Sequence, residues 1–390
     1  MVAGYAGHSS AAAGKNLPPL LCLLLLVTSS SVQPLPAAAV SSSGPGDRRR
    51  PPAVFVFGDS TLDVGNNNYL TGPDVPRADK PYYGIDFPGS IATGRFSNGY
   101  NIADYLAKSM GFASSPPPYL SLAPSPGRLV HTALATGVSY ASGGAGILDS
   151  TNAGNNIPLS KQVQYFRSTR SQMVAKLGSR ATAVLLSKSV FLFSVGSNDL
   201  FVFAAGQQQQ PNTDVAALYA SLVSNYTASV RALHAMGARK FALINVGMLG
   251  CVPAARVNDP AGACLDGLNG LASGFDDVLA PALAGLAARL PGLVYSLADY
   301  YGFSAATFAD PGASGYTDVA DACCGGGRLG AEADCLPNAT VCADRDRHAF
   351  WDRVHPCQRG AMLAAQNFYD SRPGRYTAPI NFKQLALTSL

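Results

Sequence analysis

The sequence predicts an α/β domain built on a mainly parallel sheet, and three observations carry that expectation. Short, uninterrupted apolar runs recur along the chain, each ends at a glycine, and segments with helical spacing lie between them. Continuous rather than alternating apolar runs are expected where helices cover both faces of a parallel sheet. Strand–helix alternation points the same way.

Taken in chain order, residues 1–39 have the features of a signal peptide. Lys15 is their only formal charge, an apolar core runs from Leu17 to Val27, and Ala37-Ala38-Ala39 supplies small residues for cleavage. That core is well short of the ~20 residues that cross a bilayer, so stable membrane insertion is not expected. Residues 40–51 are expected to be a linker holding the one compact basic run, Arg48 to Arg50. From residue 52 to 390 no compositional break marks a second domain. The net charge is only +4, and charged residues make up 13% of the chain, about half of the roughly 25% usual in globular proteins. Nucleic-acid binding would need a basic stripe with interleaved aromatics, and none is present.

The first strand candidate is Ala53 to Phe57, ending at Gly58; the second is Val190 to Val195, ending at Gly196; the third is Phe241 to Val246, ending at Gly247. Helix candidates include Leu218 to Met236 and Leu271 to Leu290. Small or polar residues occupy the strand ends: Gly58-Asp59-Ser60, Gly143-Gly144 and Gly196-Ser197-Asn198-Asp199. Open α/β sheets bind ligands outside the carboxyl ends of their strands, so three distant segments can meet at one site.

Ser60, directly after an apolar strand, can sit in a tight turn opening a helix, with its own N–H directed at a developing oxyanion. The plainer alternative is a helix cap, a role that both Asp and Ser favour. A nucleophilic serine needs a base, and the base an orienting partner. Of five histidines, His355 has a carboxylate at the spacing that shares one face of a helical turn, Asp352. An ordinary surface Asp–His pair is the competing reading. Asn198 could donate its side-chain amide to an oxyanion, or merely form an Asx turn with Asp199.

Cysteine usage fits an oxidising compartment. Seven cysteines come after the signal segment, Cys251, Cys264, Cys323, Cys324, Cys335, Cys342 and Cys357, without the spacing of a zinc site. Seven is odd, so one thiol is left over. Sequons at Asn225 and Asn338 fit the same route. Together these features imply a secreted protein, extracellular or in the cell wall.

Several ordered blocks then carry a family resemblance. Phe57-Gly58-Asp59-Ser60-Thr61-Leu62-Asp63, Tyr83-Gly84-Ile85-Asp86-Phe87-Pro88, Gly94-Arg95-Phe96-Ser97-Asn98-Gly99, Tyr140-Ala141-Ser142-Gly143-Gly144, Gly196-Ser197-Asn198-Asp199 and Trp351-Asp352-Arg353-Val354-His355-Pro356 resemble the plant GDSL-type esterase/lipase family of the SGNH hydrolase superfamily. The resemblance implies a three-layer α/β/α sandwich of flavodoxin-like type and ester hydrolysis through an acyl-enzyme. By position it makes Ser60 the nucleophile, His355 the base and Asp352 its orienting carboxylate. Its oxyanion hole would combine the Ser60 N–H, the Asn198 side chain and a glycine N–H, with Gly144 favoured over Gly143. It implies neither metal nor organic cofactor, and a monomer acting on small-molecule or polymer-linked esters. The same residues would serve an acyltransferase, and a non-catalytic binding protein could keep the fold. Three positions depart from the family pattern: Thr61 for Leu, Ser139 where Asn is usual, which is expected to loosen that turn, and Cys357 after His355-Pro356, the candidate for the odd thiol.

Overall fold

A computed structural model describes residues 50–209 and 214–389. The expected signal peptide and nearly all of the expected linker lie outside the described residues. Four strands, β1 (Val54–Gly58), β2 (Val190–Ser194), β3 (Lys240–Ile244) and β4 (Val294–Ala298), run parallel in that order. The short strand Thr377–Ala378 pairs antiparallel with β4 at one edge. At the other edge residues 136–142 run beside β1. Val54 N–H donates to Thr136 O, Val56 N–H to Val138 O, Tyr140 N–H to Val56 O and Ser142 N–H to Gly58 O. Counting that segment as second in the chain, the spatial order is 2-1-3-4-5, the flavodoxin-like arrangement. All three strand candidates fall within one to two residues of observed strands.

Alternate residues of each strand face opposite ways, and the sequence uses the two faces differently. Phe55, Phe57, Phe191, Phe193, Phe241 and Leu243 point into one core, covered by helices Leu159–Leu177, Val215–Ala235 and Asp266–Arg289. Val54, Val56, Val190, Leu192, Ala242 and Ile244 point into the other, under helices Ile102–Ser109, Gln358–Asp370 and Phe382–Leu387. Each fully buried side chain of this size contributes about 2 kcal/mol of transfer free energy. The expected helices at 218–236 and 271–290 are both present, extended at their N-terminal ends. Helix Asp266–Arg289 is long and apolar enough by composition to cross a membrane. In the structure Ala272, Phe275, Leu279, Leu283 and Leu286 form its core-facing stripe, while Asp276 and Asp277 interrupt its middle.

The parallel register draws one line across the carboxyl edge of the sheet: Gly58 opposite Ser194, Ser194 opposite Ile244, and Ile244 opposite Ala298. Ser60, Asn198, Gly247 and Tyr300 each come within four residues of that line. Loop geometry alone therefore brings four sequence-distant segments to one crevice.

Beyond the sandwich, residues 318–350 form an elaborated loop region with two small strand pairs. Disulfides Cys323–Cys342 and Cys324–Cys335 hold it, and Cys251–Cys264 closes a loop after β3. Among the described residues Cys357 is the unpaired thiol, and it is fully buried; burial pushes its pKa well up, which makes it inert rather than reactive.

Candidate active site

Three of the residues singled out in the sequence meet in one hydrogen-bonded chain. His355 Nε2 lies 2.7 Å from Ser60 Oγ, and His355 Nδ1 lies 2.8 Å from both carboxylate oxygens of Asp352. A carboxylate only accepts, so Nδ1 carries the proton and Nε2 presents its lone pair to the serine hydroxyl.

The local geometry of Asp352 and His355 differs from the expected helical turn. Residues 351–354 form a bend, not a helix. Asp352 Oδ1 accepts the N–H groups of Val354 (3.0 Å) and His355 (2.9 Å), an Asx-type turn that competes with helical pairing. Pro356 also disfavours a helical conformation at His355. The fourth donor is Tyr83, whose hydroxyl gives to Asp352 Oδ2 at 2.7 Å. Burial alone would raise the Asp352 pKa; the His355 charge and hydrogen bond, the Val354 N–H and the Tyr83 hydroxyl outweigh it and bring the pKa down to about 2. Phe96 packs against the imidazole with ring centroids 4.9 Å apart.

Ser60 also departs from expectation in one respect. It sits in a single turn, where Leu62 and Asp63 N–H donate to Asp59 O, but no α-helix comes after it. Asp63 ends the turn by taking the N–H groups of Gly65 (2.7 Å) and Asn66 (2.8 Å), with Gly65 at a φ of 120°. Its other oxygen accepts Gly143 N–H at 3.0 Å. Gly143 is thereby committed, whereas among the described residues no hydrogen bond takes the N–H of Ser60 or of Gly144. Asn198 lines the cleft beside Ser60; one amide hydrogen donates to Ala145 O at 2.9 Å and the other is left over. Gly144 belongs to the loop that Asn198 anchors through Ala145 O.

Asp199 accepts the N–H groups of Ile147 (2.8 Å) and Leu148 (3.0 Å) and the hydroxyl of Thr151 (2.7 Å), so its side chain clamps the glycine loop instead of turning back on Asn198. Burial raises its pKa. Ser139 is held rather than loosened: its N–H donates to Pro117 O and its carbonyl accepts from Asn66 Nδ2, while its hydroxyl has no partner among the described residues. Asp63, Tyr83, Phe96 and Asp199 were not recognised as site residues from sequence. Only Asp63, two residues before Gly65, had a readable turn signature; Tyr83 is 269 residues from Asp352.

The remaining family blocks brace this arrangement. Arg95 makes a buried two-point pair with Asp104, 2.7 Å and 2.9 Å, beside the Phe96 that touches His355. Asn98 donates to Asp86 and accepts Gln358 N–H, both at 2.7 Å. Asp86 in turn takes Arg345 at 2.6 Å and 2.7 Å. The loop of residues 83–99 is thus fastened to the chain on both sides of His355.

Residues 54–368 match the family model described as GDSL-like Lipase/Acylhydrolase. A GDSL esterase/lipase of Arabidopsis thaliana is 38% identical over 346 residues, covering 86% of this chain and 90% of the relative. A second from the same plant is 34% identical over 330 residues, covering 82% and 88%. A solved acetyl-xylooligosaccharide esterase mutant of Geobacillus is 14% identical, covering 82% of this chain and 93% of its own, with a TM-score of 0.32, too distant to bear on any argument. With the family model spanning most of the chain and relatives above 30% identity, this chain belongs to the GDSL-like lipase/acylhydrolase family and is a carboxylic ester hydrolase.

Proposed function

We propose that the chain is a secreted esterase that works through an acyl-enzyme on Ser60. His355 Nε2 takes the Ser60 proton as Oγ attacks the ester carbonyl carbon. The carbonyl oxygen becomes an oxyanion facing the N–H groups of Ser60 and Gly144 and the side-chain amide of Asn198. The tetrahedral intermediate collapses, the C–O bond to the alcohol breaks, and the imidazolium returns the proton to the departing oxygen. Water then enters, gives a proton to His355 and attacks the acyl carbon, releasing the acid and restoring Ser60 Oγ–H. Asp352 stays ionised throughout and balances the imidazolium. These steps ask for no metal or organic cofactor and for a single copy of the chain.

The observation that carries this reading is the 2.7 Å approach of His355 Nε2 to Ser60 Oγ with Asp352 behind it. Export is supported by the apolar segment at 1–39, three disulfides and the exposure of Asn225 and Asn338, with both asparagines as glycosylation sites. A fluorophosphonate probe should add one adduct at Ser60 of the mature protein, and Ser60→Ala should lose both the adduct and hydrolysis of nitrophenyl esters. Undiminished turnover in that variant would place the nucleophile elsewhere.

A further inference from the structure

We propose that the cleft beginning at Ser60 is an acyl-chain groove laid along helix Tyr300–Ala309, and that Gly247 sets how wide its entrance is. This rests on the proposed role of Ser60 and extends it to the substrate class: esters of apolar, medium-length acids.

The groove wall is one helix face. Tyr300, Phe303, Ser304, Thr307 and Phe308 line it, at the spacing that stacks side chains along a single stripe. Eight residues of rise span about 12 Å. The stripe starts at the carboxyl edge of the sheet, since Tyr300 comes after β4 as Ser60 comes after β1. It ends away from the nucleophile at Phe308, which packs on Phe350 with centroids 6.0 Å apart. The opposite wall comes from the segment after β3, including Met248, Leu249 and Val252.

The chemistry of these walls is apolar. Among the described residues no Lys, Arg or Glu lines the cleft, and its one carboxyl, Asp59, is buried. Of the three hydroxyls on the helical face, two are turned to their own backbone: Ser304 Oγ donates to Tyr300 O at 2.7 Å and Thr307 Oγ1 to Phe303 O at 2.9 Å, which leaves the Tyr300 phenol at the Ser60 end. Beyond Tyr300 this stripe offers a sugar or charged headgroup no free polar partner for the hydrogen bonds it would lose to water, whereas a hydrocarbon chain gains from leaving water. The occupant is assigned as the acyl part because the alcohol must leave and water must enter while the acyl group stays bonded to Ser60.

Gly247 stands at the narrow point. A Cβ there would lie 3.2 Å from Ser304 Oγ and 3.3 Å from a Tyr300 ring carbon. Its φ is not in the left-handed region, so a larger residue meets no backbone strain; it must instead push Ser304 and Tyr300 of the helical wall aside.

The test uses the full mature protein with two substrate series. One varies the acid of a nitrophenyl ester from acetate through butyrate and octanoate to palmitate; the other keeps acetate and varies the alcohol from ethanol to octanol. Wild type should prefer butyrate or octanoate to acetate. Gly247→Val should lower the octanoate-to-acetate ratio of kcat/KM by about tenfold or more and leave the octyl-to-ethyl acetate ratio as it was. Phe308→Ala, at the far end, should raise the palmitate-to-octanoate ratio, and it decides the question if Gly247→Val does not fold. A fall in the alcohol series instead would overturn the acyl assignment. Unchanged ratios in folded, probe-labelled variants would overturn the groove itself. Absence of the Ser60 adduct in wild type would instead be a failure of the catalytic reading.

Discussion

Asp352 carries a heavy electrostatic load: one carboxylate accepts two backbone N–H groups, an imidazole and a phenol. Its pKa lies near 2 in the folded protein against 3.8 for the free group. A depressed carboxyl pKa adds stability that is fully present above the unfolded value and lost as pH falls through the folded one. The difference is worth about 2 kcal/mol. The stability advantage of wild type over Asp352→Asn should therefore shrink by about that amount between about pH 4 and about pH 2, read from urea midpoints at each pH. A constant difference would mean that Asp352 does not titrate in that window. At neutral pH the same variant should lower kcat by about 10⁴-fold, because an amide neither fixes the Nδ1–H tautomer nor balances the imidazolium.

At the level of elements, the catalytic turn and the glycine loop act as one unit through Asp63. Its carboxylate caps the turn after Ser60 and holds Gly143 N–H from a segment 80 residues away. Burial, opposed by those N–H groups, raises its pKa to about 6. Here the sign is reversed: the fold favours the protonated form, so stability declines as pH rises from about 4 to about 6. Asp63→Asn should flatten that slope. It should also cost about 2 kcal/mol, since one amide hydrogen would face the Gly143 N–H and leave it unpaired. Activity should fall further than stability alone explains, because the adjoining Gly144 N–H shifts with the loop. Thermal melts and nitrophenyl acetate turnover on the same samples check both parts; parallel losses would reduce Asp63 to a structural role.

Over the whole molecule, stability is divided between a sheet core without disulfides and the disulfide-held region of residues 318–350 that delivers Trp351 to His355. Cys323–Cys342 closes a loop with a sequence separation of 19, worth about 3 kcal/mol in the chain-entropy account. Replacing both cysteines by alanine should lower the denaturation free energy by about that amount. Activity should be lost at lower denaturant than far-UV ellipticity, since β1 to β4 do not depend on the bridge. Coincident loss of the two signals would show that the region unfolds with the sheet.

Much of this arrangement was legible in the chain itself. The apolar runs ending at Gly58, Gly196 and Gly247 located three of the four parallel strands, because burial on both faces leaves a continuous signature. Ser60, Asn198, Asp352 and His355 stood out because short-range spacing and family blocks mark them. The sequence misjudged their immediate backbone: a helical turn was expected around Asp352 and His355, where side-chain acceptance from Val354 and His355, together with Pro356, makes an Asx turn. Tyr83, Phe96 and Asp199 were invisible as site residues, since their partners lie tens to hundreds of positions away. Sequence by itself thus determined three of the parallel strands and the residue types of the site, from local pattern, and the odd thiol at Cys357, from its departure from the family pattern. Tertiary structure alone decided which N–H groups stay unpaired around Ser60, how Asp352 is held ionised, and that one face of helix Tyr300–Ala309 lines the cleft beside Ser60. Those depend on the register of parallel strands, which brings distant loops to one edge and which no local spacing encodes.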